Sequence, residues 1–396
     1  MKWVSALSKL TDIDAAVEEA CANIKNQLGQ DEADLTVIFV SPQYREFYDK
    51  VPDLINRYFK PGTLFGCSGG GIIGNGEEAE QQAAFSMTCA TLPGVKIQTI
   101  YSETTELPDQ DTSPSVWREW LKVNIEDNPH FVFLADPFSF RGDEFLAGVD
   151  FAYPNSKKVG GLASGAQSPG GNALYLGDKI YQNGLIGIAL SGDIEVDTIV
   201  AQGCRPIGEP MKITDCQETL LKELNGKPTL EVLQEVNETL SDSDKQLLQT
   251  SLFLGIEMDP MKDDPKQGDF LIRNLMGVDR ESGALAIGAL LRTGQLVQFH
   301  LRDKKMSAED LDVMLTRYLS QGQAENASGA LLFSCLGRGQ YLYGEANHDS
   351  NMFRNKLGEI PLGGFFCNGE IGPVGNTTFL HGYTSSFGIF RKSNRT

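Results

Sequence analysis

ADLTVIFVSPQYREFYDKVPDLINRYFKPGTLFGCSGG, residues 33–70, holds an apolar run, a helix-like stretch and a second apolar run that stops on Gly-Cys-Ser-Gly. The run Leu35 to Val40 has the length and composition of a buried strand, and Tyr44 to Phe59 has the apolar spacing of a helix. Pro61-Gly62 then turns the chain into a second strand.

The same order recurs twice. HFVFLADPFSFRGDEFLAGVDFAYPNSKKVGGLASG, residues 130–165, gives a strand from Phe131 to Ala135, a helix near Gly142 to Phe151 and a strand ending Ala163-Ser164-Gly165. GALLFSCLGRGQYLYGEANHDSNMFRNKLGEIPLGGFFCNGEIG, residues 329–372, gives a strand from Ala330 to Cys335, a polar loop, a helix near Ser350 to Leu357 and a strand ending Cys367-Asn368-Gly369. Three strand-helix-strand units imply parallel crossovers, which are right-handed.

The second and third copies agree further on, in a Gly-Gly pair, in Gly171-Asn172 against Gly375-Asn376, and in Gly187-Ile188 against Gly388-Ile389. Duplication is the economical explanation. The expected fold is therefore α/β (α+β), with two pseudo-repeated halves of mixed β-sheets flanked by helices. Their expected limits are a helical lead-in over 1–29, an N-terminal domain over 30–225 and a C-terminal domain over 226–396, with the boundary in turn-rich Ala201 to Cys216. The intervening part of the second half is expected to hold a helix over Leu230 to Leu240, strands near Ser251 to Met258 and Ala284 to Leu291, and a helix from about Ser307 to Leu319.

Composition narrows the function classes. With 34 Lys plus Arg against 53 Asp plus Glu the formal charge is -19, a field that repels phosphate backbones and anionic lipid heads. Nucleic acid is not an expected partner. The start, MKWVSALSKLTDIDAAVEEA, lacks the apolar run of a signal peptide, and no segment reaches the ~18 residues of a membrane span, so a cytoplasmic protein without membrane insertion is expected. Seven scattered cysteines show no Cys-x-x-Cys and no paired histidines, so neither a disulfide framework nor a metal site nor a cofactor is signalled.

Gly69 to Gly74 satisfies G-x-G-x-x-G, but the context of a dinucleotide loop fails. AAFSMTCATL downstream reads as a strand, the acidic ribose partner is missing, and no Lys-Ser or Lys-Thr follows as a P-loop requires. What remains is a set of glycine turns at the C-terminal ends of parallel strands, where open α/β sheets bind ligands. Ser68, Ser164 and Asn368 each precede a glycine, and their side chains with the turn amides are expected to line one cavity.

The segments LFGCSGGGIIG, GGLASG, LLFSCLGR, PLGGFFCNGEIGPVGN and FLHGYTSSFGIFR resemble the FIST domain family. The resemblance covers nearly the whole chain, an N-terminal FIST half over roughly 30–225 and a C-terminal half over roughly 226–390. It implies a sensory module for small ligands, with amino acids or their derivatives as the ligand class. Such domains stand beside signalling domains in prokaryotes and behind an F-box in eukaryotic ubiquitin ligases. Neither attachment is read in this sequence, so output is expected through an unknown signalling partner or a homo-oligomer.

The expected ligand-binding set is Cys67, Ser68, Gly69, Gly70, Ser164, Asn172, Cys335, Arg338, Cys367, Asn368, Glu370 and Asn376. Arg338 suits a carboxylate as a planar fork, and Glu370 suits an ammonium, so together they would clamp a zwitterion. A mutual Arg338–Glu370 salt bridge is the alternative. Cys335 reads equally as a core or a pocket thiol, whereas Cys89, Cys204 and Cys216 read as core. The four histidines stand singly, which argues against an enzyme. Two other classes stay open: a partner-binding scaffold, and a Cys-His hydrolase joining Cys335 or Cys367 to His381 or to His348, which Asp349 follows.

Overall fold

The fold was obtained as a computed structural model that describes residues 1–103, 107–109, 111–262, 264–279 and 282–393. It divides into two compact units. One comprises Met1–Val200, Asp312–Leu380 and Thr384–Thr396, and the other Ala201–Leu311 with His381–Tyr383.

The first unit is built from three copies of one module. In the first copy, strands Leu35–Val40 and Thr63–Ser68 pair in parallel, Phe85–Thr91 runs antiparallel beside Leu35–Val40, and Lys2–Ser8 pairs with Phe85–Thr91 at the edge. The second copy repeats this with His130–Ala135 parallel to Lys158–Leu162, then Leu185–Gly192, then Val95–Ser102. The third uses Ala327–Cys335 parallel to Leu362–Cys367, then Ser385–Lys392, then Ile194–Ala201.

Each module also emits a hairpin that completes another module's sheet. The first module's hairpin, Gly71–Gly74 with Glu77–Glu80, pairs with Leu362–Cys367 of the third. The third's, Glu370–Val374 with Thr377–His381, pairs with Lys158–Leu162 of the second. The second's, Leu174–Leu176 with Lys179–Tyr181, pairs with Thr63–Ser68 of the first. Three six-stranded mixed sheets result. One core joins them, with Phe39, Phe65, Val132, Leu134, Leu331, Phe333 and Phe365 all buried in a single cluster.

Mixed sheets flanked by helices are what the sequence led us to expect, and the duplication extends to a triplication. The Gly-Gly pairs explain part of the resemblance between copies. Gly160 and Gly364 occupy equivalent positions with φ of +153° and +151°, and a Cβ there would lie 1.8 Å from Phe133 O and 2.0 Å from Leu332 O. Only glycine fits such a position.

Three local expectations change. Residues 1–29 are not helical throughout: Lys2–Ser8 is a strand, because Trp3, Val4 and Ala6 are buried against the sheet, and the helix is Ile13–Leu28, capped by Asp12. The helix expected over Tyr44 to Phe59 is a 3-10 segment, Pro42–Lys50, followed by the α-helix Val51–Tyr58. Turn-rich Ala201 to Cys216 becomes the strand Cys204–Gln217, bent by register shifts.

That strand opens the second unit. Cys204–Gln217, Leu296–Arg302, Leu252–Glu257, Phe270–Val278, Leu285–Ile287 and Leu220–Leu224 pair antiparallel in turn, and Leu220–Leu224 pairs back to Cys204–Gln217. The ring is a small closed barrel, with Leu254, Val297, Phe299 and Leu301 fully buried in its core cluster. It interrupts the third module between its edge strand and its central strand, so the compact units do not follow the two sequence halves.

Candidate functional site

The equivalent strand ends at Ser68, Ser164 and Asn368 do come together. Ser164 N donates to Ser68 O at 3.1 Å, Gly70 N donates to Ser164 Oγ at 2.7 Å, and Ser164 Oγ donates to Phe366 O. Asn368 N donates to Leu162 O at 3.1 Å. The junction is packed rather than hollow, since Cys67, Ser68, Ser164 and Cys367 are all 0% exposed. Burial pushes both the Cys67 and the Cys367 thiol well above the usual cysteine range. Gly69 is buried and Gly70 half-buried; a Cβ on Gly70 would meet Leu336 at 2.7 Å.

Arg338 and Glu370 lie inside the protein, each in its own network. Arg338 Nε donates to Asp349 Oδ2 at 2.8 Å and Nη2 to Asp349 Oδ1 at 3.2 Å, with a further bond to Tyr343 Oη. Burial alone would lower the guanidinium pKa, and the Asp349 carboxylate more than offsets it, so Arg338 stays charged. Glu370 Oε2 accepts the Thr384 N–H at 3.1 Å, and Glu370 is 0% exposed. Cys335, half-buried, ends the strand in register with Cys367. Asn376 sits on an exposed hairpin turn beside Gly375, and Asn368 is exposed.

Asp349 also accepts from Ser385 Oγ at 2.6 Å and lies 3.0 Å from His348 Nδ1. Glu78, on the first module's hairpin, accepts the Ser350 N–H at 2.8 Å. Burial, then the nearby Asp349 charge, pushes the Glu78 carboxyl up to about 8.

Two of the expected residues, Ser68 and Asn172, lie buried behind the lining of a cleft that the sequence reading missed, bonded to Ala173 and Asp136, which line it. Ser68 Oγ donates to Asn172 Oδ1 at 3.2 Å and accepts the Ala173 N–H at 3.1 Å. Asn172 Nδ2 donates to Asp136 Oδ1 at 3.2 Å, and Asp136 Oδ2 accepts from Ser139 Oγ at 2.8 Å and from Phe138 N at 3.2 Å. Asp136 lines the cleft of about 830 Å³, together with Arg45, Glu46, Tyr48 and Asp49 from the 3-10 segment and Phe138, Pro169 and Gly170 opposite. That volume suits a small molecule. Arg45 is exposed, and its Nη2 is held 2.8 Å from Gly165 O at the rim. Burial pushes the Tyr48 phenol up to about 12, so it stays a donor at neutral pH. Asp136 was legible as an acid closing an apolar strand, FVFLAD; Arg45 and Tyr48 carried no signal beyond their place on a helix.

Among the described residues no group of three or more His, Cys, Asp or Glu side chains is placed to hold a metal ion, and no helix is long and apolar enough to cross a membrane.

The family model of the FIST N domain matches residues 34–227 and that of the FIST C domain residues 230–373. An uncharacterized protein of Mycobacterium tuberculosis is 33% identical over 97% of this chain and 98% of its own. One of Mycobacterium bovis is 31% identical over 96% of each. An Arabidopsis thaliana F-box/LRR-repeat protein is 28% identical over 142 residues, 32% of this chain and 27% of its own. Among solved structures, a cyanuric acid hydrolase from A. caulinodans aligns over 99% of this chain and 100% of that one at 9% identity, with a TM-score of 0.32.

Proposed function

This chain belongs to the FIST family, whose domains are held to be small-ligand sensory modules, and on that premise we propose that it senses an amino-acid-like molecule in the cleft beside Pro42–Lys50. The observation that carries the reading is the pairing of charges along that cleft. Arg45 supplies a cation at the rim, while Glu46 and Asp49 supply carboxylates on the same segment. A zwitterion meets both. Its carboxylate takes the Arg45 fork and its ammonium takes an acid, each charge-assisted bond contributing about 1.5–3 kcal/mol before costs.

The wall that carries Asp136 supports this use because it is already built. Ser68, Asn172 and Asp136 satisfy one another, so binding need not reorganise them. A protein partner reads the liganded state in this account, and binding alone suffices for sensing. The test is thermal denaturation of the wild type and Arg45→Ala against a panel of amino acids and their derivatives. Ligands that bind the native state raise the melting temperature by mass action. At least one zwitterion should raise it in the wild type and lose most of that effect in Arg45→Ala. A panel with no shift, or with equal shifts in both proteins, contradicts the reading.

A further inference from the structure

We propose that the deep end of this cleft reads the far end of the ligand through Tyr175, so that the site prefers an amino acid whose side chain ends in a carbonyl or carboxylate oxygen over an isostere ending in methyl groups. The proposal rests on the ligand reading just given.

Tyr175 lies on the hairpin strand Leu174–Leu176, where its direct antiparallel partner is Ile180. Direct partners, and residues two apart on a strand, share a face. Ile180 and Ala173 both line the cleft and share a core cluster with Tyr175 and Tyr48, so the Tyr175 ring packs on the cleft's side of the sheet, behind its lining. Tyr175 is 0% exposed, and its hydroxyl has no hydrogen-bond partner among the described residues. Buried hydroxyls are paired in the great majority of cases, and an orphan is costly. The groups that act on this phenol electrostatically are Tyr48, Cys67 and Asp49, of which Tyr48 and Asp49 line the cleft above it. Burial holds Tyr175 protonated, so it can donate.

Two of the polar groups in or behind the cleft lining already have donors of their own. Both Asp136 oxygens are taken by Asn172, Ser139 and Phe138, and Ser68 Oγ already accepts from Ala173. In this proposal the acceptor for Tyr175 arrives with the ligand. A site built to hydrogen-bond one group rejects the analogue that lacks it, because its own donor is then left buried and unpaired.

The experiment is calorimetric titration of the wild type and Tyr175→Phe with two isosteric pairs, asparagine against leucine and glutamine against homoleucine. In the pair whose length fits, the wild type should prefer the amide by at least about ten-fold, and Tyr175→Phe should reduce that preference to about two-fold or less. The ligand-free melting temperature of Tyr175→Phe should equal or exceed that of the wild type, since the substitution removes only an unpaired hydroxyl. Equal binding within both pairs, a preference that survives in Tyr175→Phe, or a clear fall in its ligand-free melting temperature overturns the inference while leaving the cleft in place. No binding by any of the four compounds to the wild type overturns it as stated, and if the wider panel is also silent the amino-acid reading fails with it.

Discussion

Arg338 and Asp349 form a two-bond ion pair sealed inside the first unit, with Nε 2.8 Å from Oδ2 and Nη2 3.2 Å from Oδ1 and with side chains 0% and 2% exposed. Such a pair is costly to break from one side, because the surviving charge stays buried. Arg338→Ala should therefore destabilise the fold by about 3–5 kcal/mol. Urea denaturation checks this. A variant that keeps wild-type stability and loses only ligand binding would return Arg338 to the ligand.

Glu78 makes stability depend on pH with a definite sign. Its carboxyl rises from the usual 4.5 to about 8 in the folded protein, chiefly through burial and then through the Asp349 charge. Between those values the folded state binds the proton more tightly than the unfolded chain does. The contribution is thus complete below about pH 4.5 and is lost as pH rises through about 8. Melting temperature measured from pH 5 to 9 should fall less steeply in Glu78→Gln than in the wild type. An unchanged slope would show that Glu78 is ionised throughout.

Thiol reactivity should follow exposure and thiolate character. Cys335 and Cys216 are half-buried, whereas Cys21, Cys67, Cys89, Cys204 and Cys367 are buried. An alkylating reagent on the native protein, read by peptide mass spectrometry, should modify Cys335 and Cys216 well before Cys67 or Cys367, whose thiols burial holds protonated. Early modification of Cys367 would mean that the strand junction is hollow after all.

Gly160 and Gly364 should fail alike. Each faces a carbonyl oxygen of its parallel neighbour and sits at positive φ, so Gly160→Ala and Gly364→Ala should each cost at least about 1–3 kcal/mol. Gly277→Ala, where a Cβ meets nothing within 4 Å, should be close to neutral. Chemical denaturation of the three variants separates the outcomes, and a neutral Gly160→Ala would contradict the equivalence of the modules.

Much of the first unit was legible because its repeats are local. A strand, a helix and a strand ending in a glycine turn lie within about 40 residues, and both periodicities show in the sequence. The exchange of hairpins was not legible. Pairing Gly71–Gly74 with Leu362–Cys367 joins segments nearly three hundred residues apart, and nothing in either segment names its partner. The barrel was hidden by its bent first strand, whose glycine and prolines read as turns. In the candidate site, Ser68 and Asn172 were singled out because glycine turns mark strand ends, whereas the Arg338–Asp349 pair was not legible because an arginine alone does not disclose the carboxylate that buries it. Tyr175 gave no sign, since a strand tyrosine looks the same whether its hydroxyl is paired or not.

The position of the bound ligand decides whether the cleft is the sensing site. Hydrogen exchange of the wild type, with and without the zwitterion that gives the largest thermal shift, maps that directly by mass spectrometry. Protection is expected in peptides covering residues 42–50, 136–139 and 168–175, with those covering 336–350 unchanged. Protection confined to 336–350, or spread evenly over the chain, would contradict the cleft as the sensing site.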